Sequence, residues 1–298
     1  MNVKKHSMGE WVLATRPWSF PASAMPVMVT MVWLWSRGVE VRWWLGVLSL
    51  LNIVLVHAAG NVWSDIADYR HGVDAEDTFG TRLLVDEQFS PDEFRRLSLV
   101  LNVAAVVLGL VMVGLTGWPL LVIGVAGLLL SLCYPWLKYA ALGDVVIILC
   151  YALLPMLGTS YIVSGEVRPE VLWLALPVGL ITVAILHINN VRDVTTDRRA
   201  GISTLPLLTG TRVGTYIYMV EVLLPFVWIV GLVALGIGSW GLLASLLALP
   251  LAVKNVRTMF AGADLRESCA HLDEGTAQLQ LAFSLCLMLG LIVNTLIK

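Results

Sequence analysis

The sequence predicts an all-α membrane protein: about nine transmembrane helices in one bundle, with the N-terminus in the cytoplasm. Three observations predict it. Of 298 residues, 58% are hydrophobic and 13% charged, at a mean hydropathy of +0.83. A soluble domain carries about a quarter charged residues, so this chain has too little polar surface to cover a water-soluble globule. Nine apolar stretches approach the roughly 20 residues that a spanning helix needs. Lysine and arginine segregate to alternate connections, fifteen to one side and four to the other, as the positive-inside rule requires. The same composition excludes a disordered chain. A net charge of −2 and a pI near 6.2 leave no basic surface for nucleic acid.

The apolar stretches are 18–36, 43–64, 97–116, 118–137, 143–164, 171–191, 213–235, 239–254 and 278–297. Arg16-Pro17 opens the first, since proline suits a first helical turn. Ala22-Ser23-Ala24 resembles a signal-peptidase site, but it stands near the start of the apolar run rather than after it, so the segment reads as retained. Lys4, Lys5 and Arg16 precede the first stretch. Arg70, Arg82, Arg95 and Arg96 follow the second, Lys138 the fourth, and Arg192, Arg198, Arg199 and Arg212 the sixth. Lys254, Arg257 and Arg266 follow the eighth. Arg37, Arg42, Arg168 and Lys298 make up the other side. No linker divides the chain, which reads as one membrane domain over 1–298. Cys133, Cys150, Cys269 and Cys286 form no Cys-x-x-Cys pair, so neither a disulfide framework nor a zinc site follows from them.

All eleven aspartates fall on the lysine- and arginine-rich side. Topology requires basic residues there, not acidic ones. Two clusters stand out. After the second stretch, Asn61, Asp65 and Asp68 sit at i, i+4 and i+7, followed by Gly72 and Asp74. After the sixth, Asn189, Asp193 and Asp197 sit at i, i+4 and i+8, followed by Gly201. If each helix continues, each set shares one face. The matching placement, four spans apart, suggests a weak internal duplication.

Carboxylates one turn apart repel each other, and a helix C-terminus is the wrong end for anions. Such local strain is retained where a cation relieves it. Oxygen-only ligands with no Cys or His in phase suit Mg²⁺ rather than zinc. Mg²⁺ held by few carboxylates completes its shell with water and phosphate oxygens, so two facing clusters make a clamp for a diphosphate. Arg82, Lys138, Arg192, Arg198 and Arg199 supply nearby positive charge. At a membrane surface the natural ligand is a lipid diphosphate, whose allylic C–O bond ionises once the leaving group is neutralised. Aromatic faces shield the resulting carbocation, and Trp63, Tyr69, Tyr134 and Tyr161 are placed to do so. Asp74 and His187 are candidates for contact with an acceptor. His57 reads as a buried, satisfied histidine, and Glu221, inside the seventh stretch, as a group able to snorkel or pair. The long polar loop 65–96 is a candidate lid.

The motifs resemble those of the UbiA superfamily of intramembrane prenyltransferases, most closely its menaquinone-pathway branch. Asp65, Asp68, Gly72 and Asp74 fall in register with the first family motif. Asn189, Asn190, Arg192, Asp193, Asp197, Gly201, Thr204 and Leu205 match the second. Arg16-Pro17, Pro26, Arg82, Leu142-Gly143-Asp144, Leu157-Gly158-Thr159 and Thr276-Ala277 extend the resemblance along nearly the whole chain. Ser64 and Ile66 depart from the first motif, and Ile202 stands where the family has lysine.

The resemblance implies a nine-helix bundle with a central cavity open sideways to lipid, in the cytoplasmic membrane with the site facing the cytoplasm. It implies Mg²⁺ held through Asn61, Asp65, Asp68, Asn189, Asp193 and Asp197. Arg82 and Arg192 would help hold the diphosphate; position adds Lys138 and Arg198 to them, and makes Asp74, Tyr134, Tyr161 and His187 the candidates to face the acceptor or carbocation. The donor would be an isoprenyl diphosphate and the acceptor an aromatic ring, 1,4-dihydroxy-2-naphthoate, alkylated with loss of CO2. The alternatives are a different aromatic acceptor or, in another class, a secondary transporter. Transporters bind near the bilayer midplane on broken helices, whereas these carboxylates gather at helix ends.

Overall fold

The computed structural model describes residues 6–261 and 264–297. Lys4, Lys5 and Lys298, three of the charges in the topology count, lie outside the described residues.

A short amphipathic helix, α1 (Met8–Ala14), is started by a Ser7–Glu10 capping box. Then come α2 (Pro21–Ser36), α3 (Trp43–His71), α4 (Pro91–Thr116) and α5 (Pro119–Tyr139). The sixth helix, α6 (Gly143–Ser164), widens into a π-helical stretch at Leu149–Leu153. Next are α7 (Leu172–Arg192), the short α8 (Val194–Arg199), a helical turn at Leu205–Thr209 and α9 (Thr211–Ala234). The chain closes with α10 (Trp240–Ala261) and α11 (Leu272–Ile297). Among the described residues the β pairing is confined to one isolated bridge, Ala140 to Ser203.

Eight of these helices are long and apolar enough to cross a membrane. The first expected span differs. Arg16 and a 3-10 turn at Pro17–Ser19 use up its start. What remains, α2, has 16 residues and is about 24 Å long, short of a hydrocarbon core of roughly 30 Å. It is nonetheless a core element, packed against α3, α6 and α11, with Trp33 and Leu34 fully buried. The second expected span runs beyond residue 64 to His71 because the first acidic motif is itself helical.

The most buried span is α7, surrounded by α6, α9 and α11. The core that holds it contains Trp33, Met156, Ile181, Tyr218 and Phe283. By contrast, α4 and α5 are only 11% buried over their most apolar windows, and their outer faces are left for lipid. A smaller cluster of Ala14, Val62, Ile66, Leu84, Phe89 and Phe94 anchors α1 and the 72–90 connection over one end of α3. That contact brings the N-terminal segment to the first acidic motif.

Candidate active site

Both motifs end in the same way. Gly72 and Gly201 take left-handed backbones, φ +69° and +72°, which glycine adopts without a Cβ clash. In the first, Val73 N–H bonds Asp68 O at 2.9 Å and Gly72 N–H bonds Tyr69 O at 3.3 Å. In the second, Ile202 N–H bonds Asp197 O and Gly201 N–H bonds Arg198 O, each at 3.2 Å. These are paired Schellman caps. The first folds the chain back so that Asp74 faces Asp68, whose charge it senses. The second helix is less regular than expected: α7 stops at Arg192 and Asp193 occupies the junction. The i→i−4 pattern survives across it, Asp193 N–H to Asn189 O at 2.8 Å and Asp197 N–H to Asp193 O at 2.9 Å.

The carboxylates are not left facing one another. Asp65, 4% exposed, forms an ion pair with Arg16. Lys138 Nζ donates to both Asp68 oxygens at 3.0 and 3.2 Å, Tyr139 Oη donates to Asp68 at 2.8 Å, and Ser64 Oγ at 3.2 Å. Arg192 donates twice to its neighbour Asp193, at 2.9 and 2.8 Å. It also lies 3.5 Å from Asp273 and 4.9 Å above the Phe79 ring. Asp197 is buried and has none of these ion-pair partners, yet it senses Lys138, Asp193 and Asp68. Burial first, then the like charges of Asp193 and Asp68, push its carboxyl up to about 7. Burial and the charge of Asp68 push Asp74 up to about 6, with Asp193 adding to the effect. Charges from the two motifs therefore act on each other across one small region, with Lys138 between them.

Asn61 Nδ2 donates to Thr15 O at 2.9 Å and Ser19 Oγ at 3.0 Å, which leaves its carbonyl oxygen as the atom for a cation. Asn189 Oδ1 is buried with no partner among the described residues. An orphaned amide oxygen beside carboxylates is the donor chemistry Mg²⁺ takes, so the residues present fit that ion.

Several expected site residues are placed elsewhere. Tyr161 is buried at the opposite end of the bundle, its hydroxyl donating to Thr116 O at 2.5 Å; it ties α6 to the end of α4. Arg82 turns into its own connection, donating to Glu76 O and lying 3.6 Å from Asp86. Arg198 is exposed, and Arg199 pairs outward with Asp77 at 2.7 and 2.9 Å. Trp63 Nε1 bonds Leu132 O at 3.0 Å on the outer surface, and Tyr69 is exposed. His187 is fully buried with both ring nitrogens engaged, by Asp144 and Gly214. Tyr134 remains within electrostatic reach of Lys138 and Asp68.

Three groups were missed by sequence reading. Arg16 was assigned to helix entry and topology, yet it carries a left-handed backbone, φ 56°, costly for a residue with a Cβ, and reaches 49 positions along the chain to Asp65. Tyr139, next to Lys138, carries no motif signal, yet its hydroxyl donates to Asp68. An aromatic group just beyond Asn61 joins His57 to Tyr151, centroids 4.7 Å apart, and to Phe20 at 5.6 Å. The left-handed Arg16 is the only local signal, and it is visible only in the backbone.

Beyond this group a groove of about 260 Å³ runs between α3, α4, α5 and α6, lined by Asn52, Val56, Gly109, Met112 and Gly158. Its outer wall includes Leu110 and Val125, both exposed, so it opens sideways.

Residues 23–271 match the UbiA prenyltransferase family. The chain belongs to the UbiA prenyltransferase family. This member is a multi-pass membrane prenyltransferase, an enzyme. It is 32% identical over 290 residues to the UbiA prenyltransferase domain-containing protein 1 of Danio rerio, covering 95% of this chain and 84% of that one. It is 26% identical over 298 residues to the 1,4-dihydroxy-2-naphthoate octaprenyltransferase of Bacillus subtilis, covering 98% and 95%. Its fold is that of a UbiA homologue from Archaeoglobus fulgidus solved with GPP and Mg²⁺: TM-score 0.64 at 12% identity, covering 94% of this chain and 99% of the other.

Proposed function

We propose that this UbiA member transfers a polyprenyl group from an isoprenyl diphosphate to 1,4-dihydroxy-2-naphthoate, with loss of CO2, giving the quinol form of demethylmenaquinone. The observation that carries the reading is the meeting of two Asn/Asp motifs around Lys138, in a bundle that also holds an apolar groove. The Bacillus subtilis relative, similar over nearly the full length of both chains, supports the acceptor. The relative named UbiA prenyltransferase domain-containing protein 1 is the reason to test other acceptors beside it.

The roles follow from the contacts. Asn61, Asp65, Asp68, Asn189, Asp193 and Asp197 would hold Mg²⁺, which when bound supplies positive charge to the leaving diphosphate. Arg16, Lys138 and Arg192 already sit on those carboxylates. Once a cation takes the carboxylates, their donors turn to the phosphate oxygens, where charge-assisted bonds are strong. Their placement makes Arg16 the stronger candidate for this than Arg82 or Arg198. The groove takes the apolar tail. The allylic C–O bond breaks with its electron pair leaving on the diphosphate, and Phe20, Tyr134, Tyr151 and His57 face the carbocation. The acceptor ring carbon bearing the carboxylate attacks. Departure of CO2 returns the bonding pair to the ring, so no protein base is required at that step. Asp74, within reach of Asp68, is placed to orient the acceptor. In this reading the chain is one domain of the cytoplasmic membrane with the motif end in the cytoplasm, as the arginine bias supports.

The test is purified protein in lipid nanodiscs with Mg²⁺, geranylgeranyl diphosphate and either 1,4-dihydroxy-2-naphthoate or 4-hydroxybenzoate, products read by mass spectrometry. A decarboxylated prenyl-naphthoquinol, read as itself or as the quinone it gives in air, is expected and should be lost with EDTA and with Asp193→Asn. Product from 4-hydroxybenzoate alone would overturn the acceptor, and substrate uptake without product would favour a transporter.

A further inference from the structure

A second cluster lies in the bundle, apart from the acidic motifs. Asp144 in the first turn of α6, His187 of α7 and Glu221 of α9 offer three ligand atoms within 4.8 Å of one another. His187 is 0% exposed and Glu221 6%. Its position is enforced by a close helix approach: a Cβ on Gly214 would stand 3.0 Å from Val191 Cγ2 and 3.3 Å from Pro206. Glycine there lets α9 bring its carbonyl close to α7 without displacing Val191 or Pro206.

Hydrogen-bond chemistry then constrains the histidine. Its Nε2 meets Gly214 O at 3.0 Å. A carbonyl only accepts, so Nε2 carries a hydrogen. Nδ1 meets Asp144 Oδ2 at 2.8 Å. A lone pair facing a carboxylate is repulsive, so something positive, a proton or a metal ion, lies between them. A proton there answers Asp144 alone and leaves Glu221 Oε2 buried with no partner among the described residues. A buried polar oxygen without a partner is costly. A divalent cation shared by Nδ1, Asp144 and Glu221 balances both carboxylates and satisfies the orphaned oxygen.

We propose that Asp144, His187 and Glu221 form a binding site for a divalent transition-metal ion of the zinc class, separate from the Mg²⁺ motifs. Imidazole with carboxylates suits zinc rather than Mg²⁺. Tetrahedral zinc with bonds of about 2.0–2.1 Å sets its ligand atoms roughly 3.3 Å apart, between the 2.8 Å of the His187–Asp144 pair and the 4.8 Å limit of the cluster. The Nε2–Gly214 bond is the outer contact that fixes the tautomer of a metal-bound histidine. The ion ties α6, α7 and α9 together two residues before Asn189, and so sets the register of the helix end that carries the second motif.

The experiment is metal analysis of the full chain, purified without chelator and dialysed against excess Mg²⁺ to saturate the acidic motifs. About one zinc per chain is expected for the wild type and for Asp193→Asn, falling at least tenfold in Asp144→Asn and Glu221→Gln. Zinc content equal in all four proteins, or no zinc in folded wild type, overturns the proposal. Should either cluster variant fail to fold, X-ray absorption at the zinc edge of the wild type decides alone. One imidazole with oxygen ligands supports the site; all-oxygen coordination overturns it.

Discussion

The two acidic motifs look like copies, but they are held in different ways. The first lies on an unbroken helix, and its carboxylates are neutralised by distant residues, Arg16 for Asp65 and Lys138 with Tyr139 for Asp68. The second spans eight positions from Asn189 to Asp197 where the first spans seven from Asn61 to Asp68. The extra residue coincides with the helix junction at Asp193. There Asp193 is neutralised by the adjacent Arg192, and Asp197 has only Lys138 nearby among opposite charges acting on it. The first motif thus depends on tertiary structure for its charge balance. The second is half local and half unbalanced.

The largest effects should come from the carboxylates. Asp65→Asn and Asp193→Asn should each lower prenyl transfer by about 100-fold or more, measured as initial rates across a Mg²⁺ titration. They should differ in stability. Asp65→Asn leaves Arg16 without its carboxylate and should destabilise the metal-free protein by roughly 1–3 kcal/mol, because Arg16 is only partly exposed. Asp193→Asn leaves Arg192 with Asp273 and should move the melting temperature far less. Equal melting temperatures would erase the contrast.

Lys138→Met comes next. It removes the positive charge between Asp68 and Asp197 and should reduce kcat roughly 10- to 100-fold, whereas Arg198→Met, at an exposed site, should stay within about threefold. The reverse order would mean that Arg198 compensates for the lysine absent at Ile202.

The pH dependence sharpens the same contrast. A ligating carboxyl must lose its proton, so Mg²⁺ affinity should fall as pH drops through about 7, the position of Asp197, while Asp74, which orients the acceptor, is held up to about 6. Binding should release protons near pH 6–7 and almost none above about pH 8, which calorimetry in buffers of different ionisation enthalpy reads directly. Both pKa values are raised over the unfolded value, so the folded protein holds extra protons between about pH 4 and 7. The metal-free protein should therefore lose stability as pH rises through that window, and Mg²⁺ should restore most at the alkaline end. Asp197→Asn should shrink the step near pH 7.

The smallest effect is expected at the surface latch, where Asp77 meets Arg199 and its carbonyl accepts from Arg266 at 2.7 Å. Asp77→Asn should leave melting temperature and kcat nearly unchanged, since exposed pairs contribute little. A large fall in kcat would make the 72–90 connection a working lid.

By itself the sequence determined the membrane class, eight of the nine expected spans, the two motifs and their glycine caps. Each of these is a local pattern: apolar run length, i to i+4 spacing, a residue able to take positive φ. Only the tertiary structure decided that α2 is a short enclosed helix, that Tyr161 and Arg82 lie away from the motifs, and that Arg16 and Lys138 are their counterions. It alone closed Asp144, His187 and Glu221 into one cluster. Those groups meet across intervals of 34 to 70 positions, Asp144 to His187 at 43, Lys138 to Asp68 at 70, and Glu221 to His187 at 34 by their numbering. Charge pairing over such distances leaves no periodic trace along a chain. It is selected when helix packing removes water and a buried charge must find its opposite.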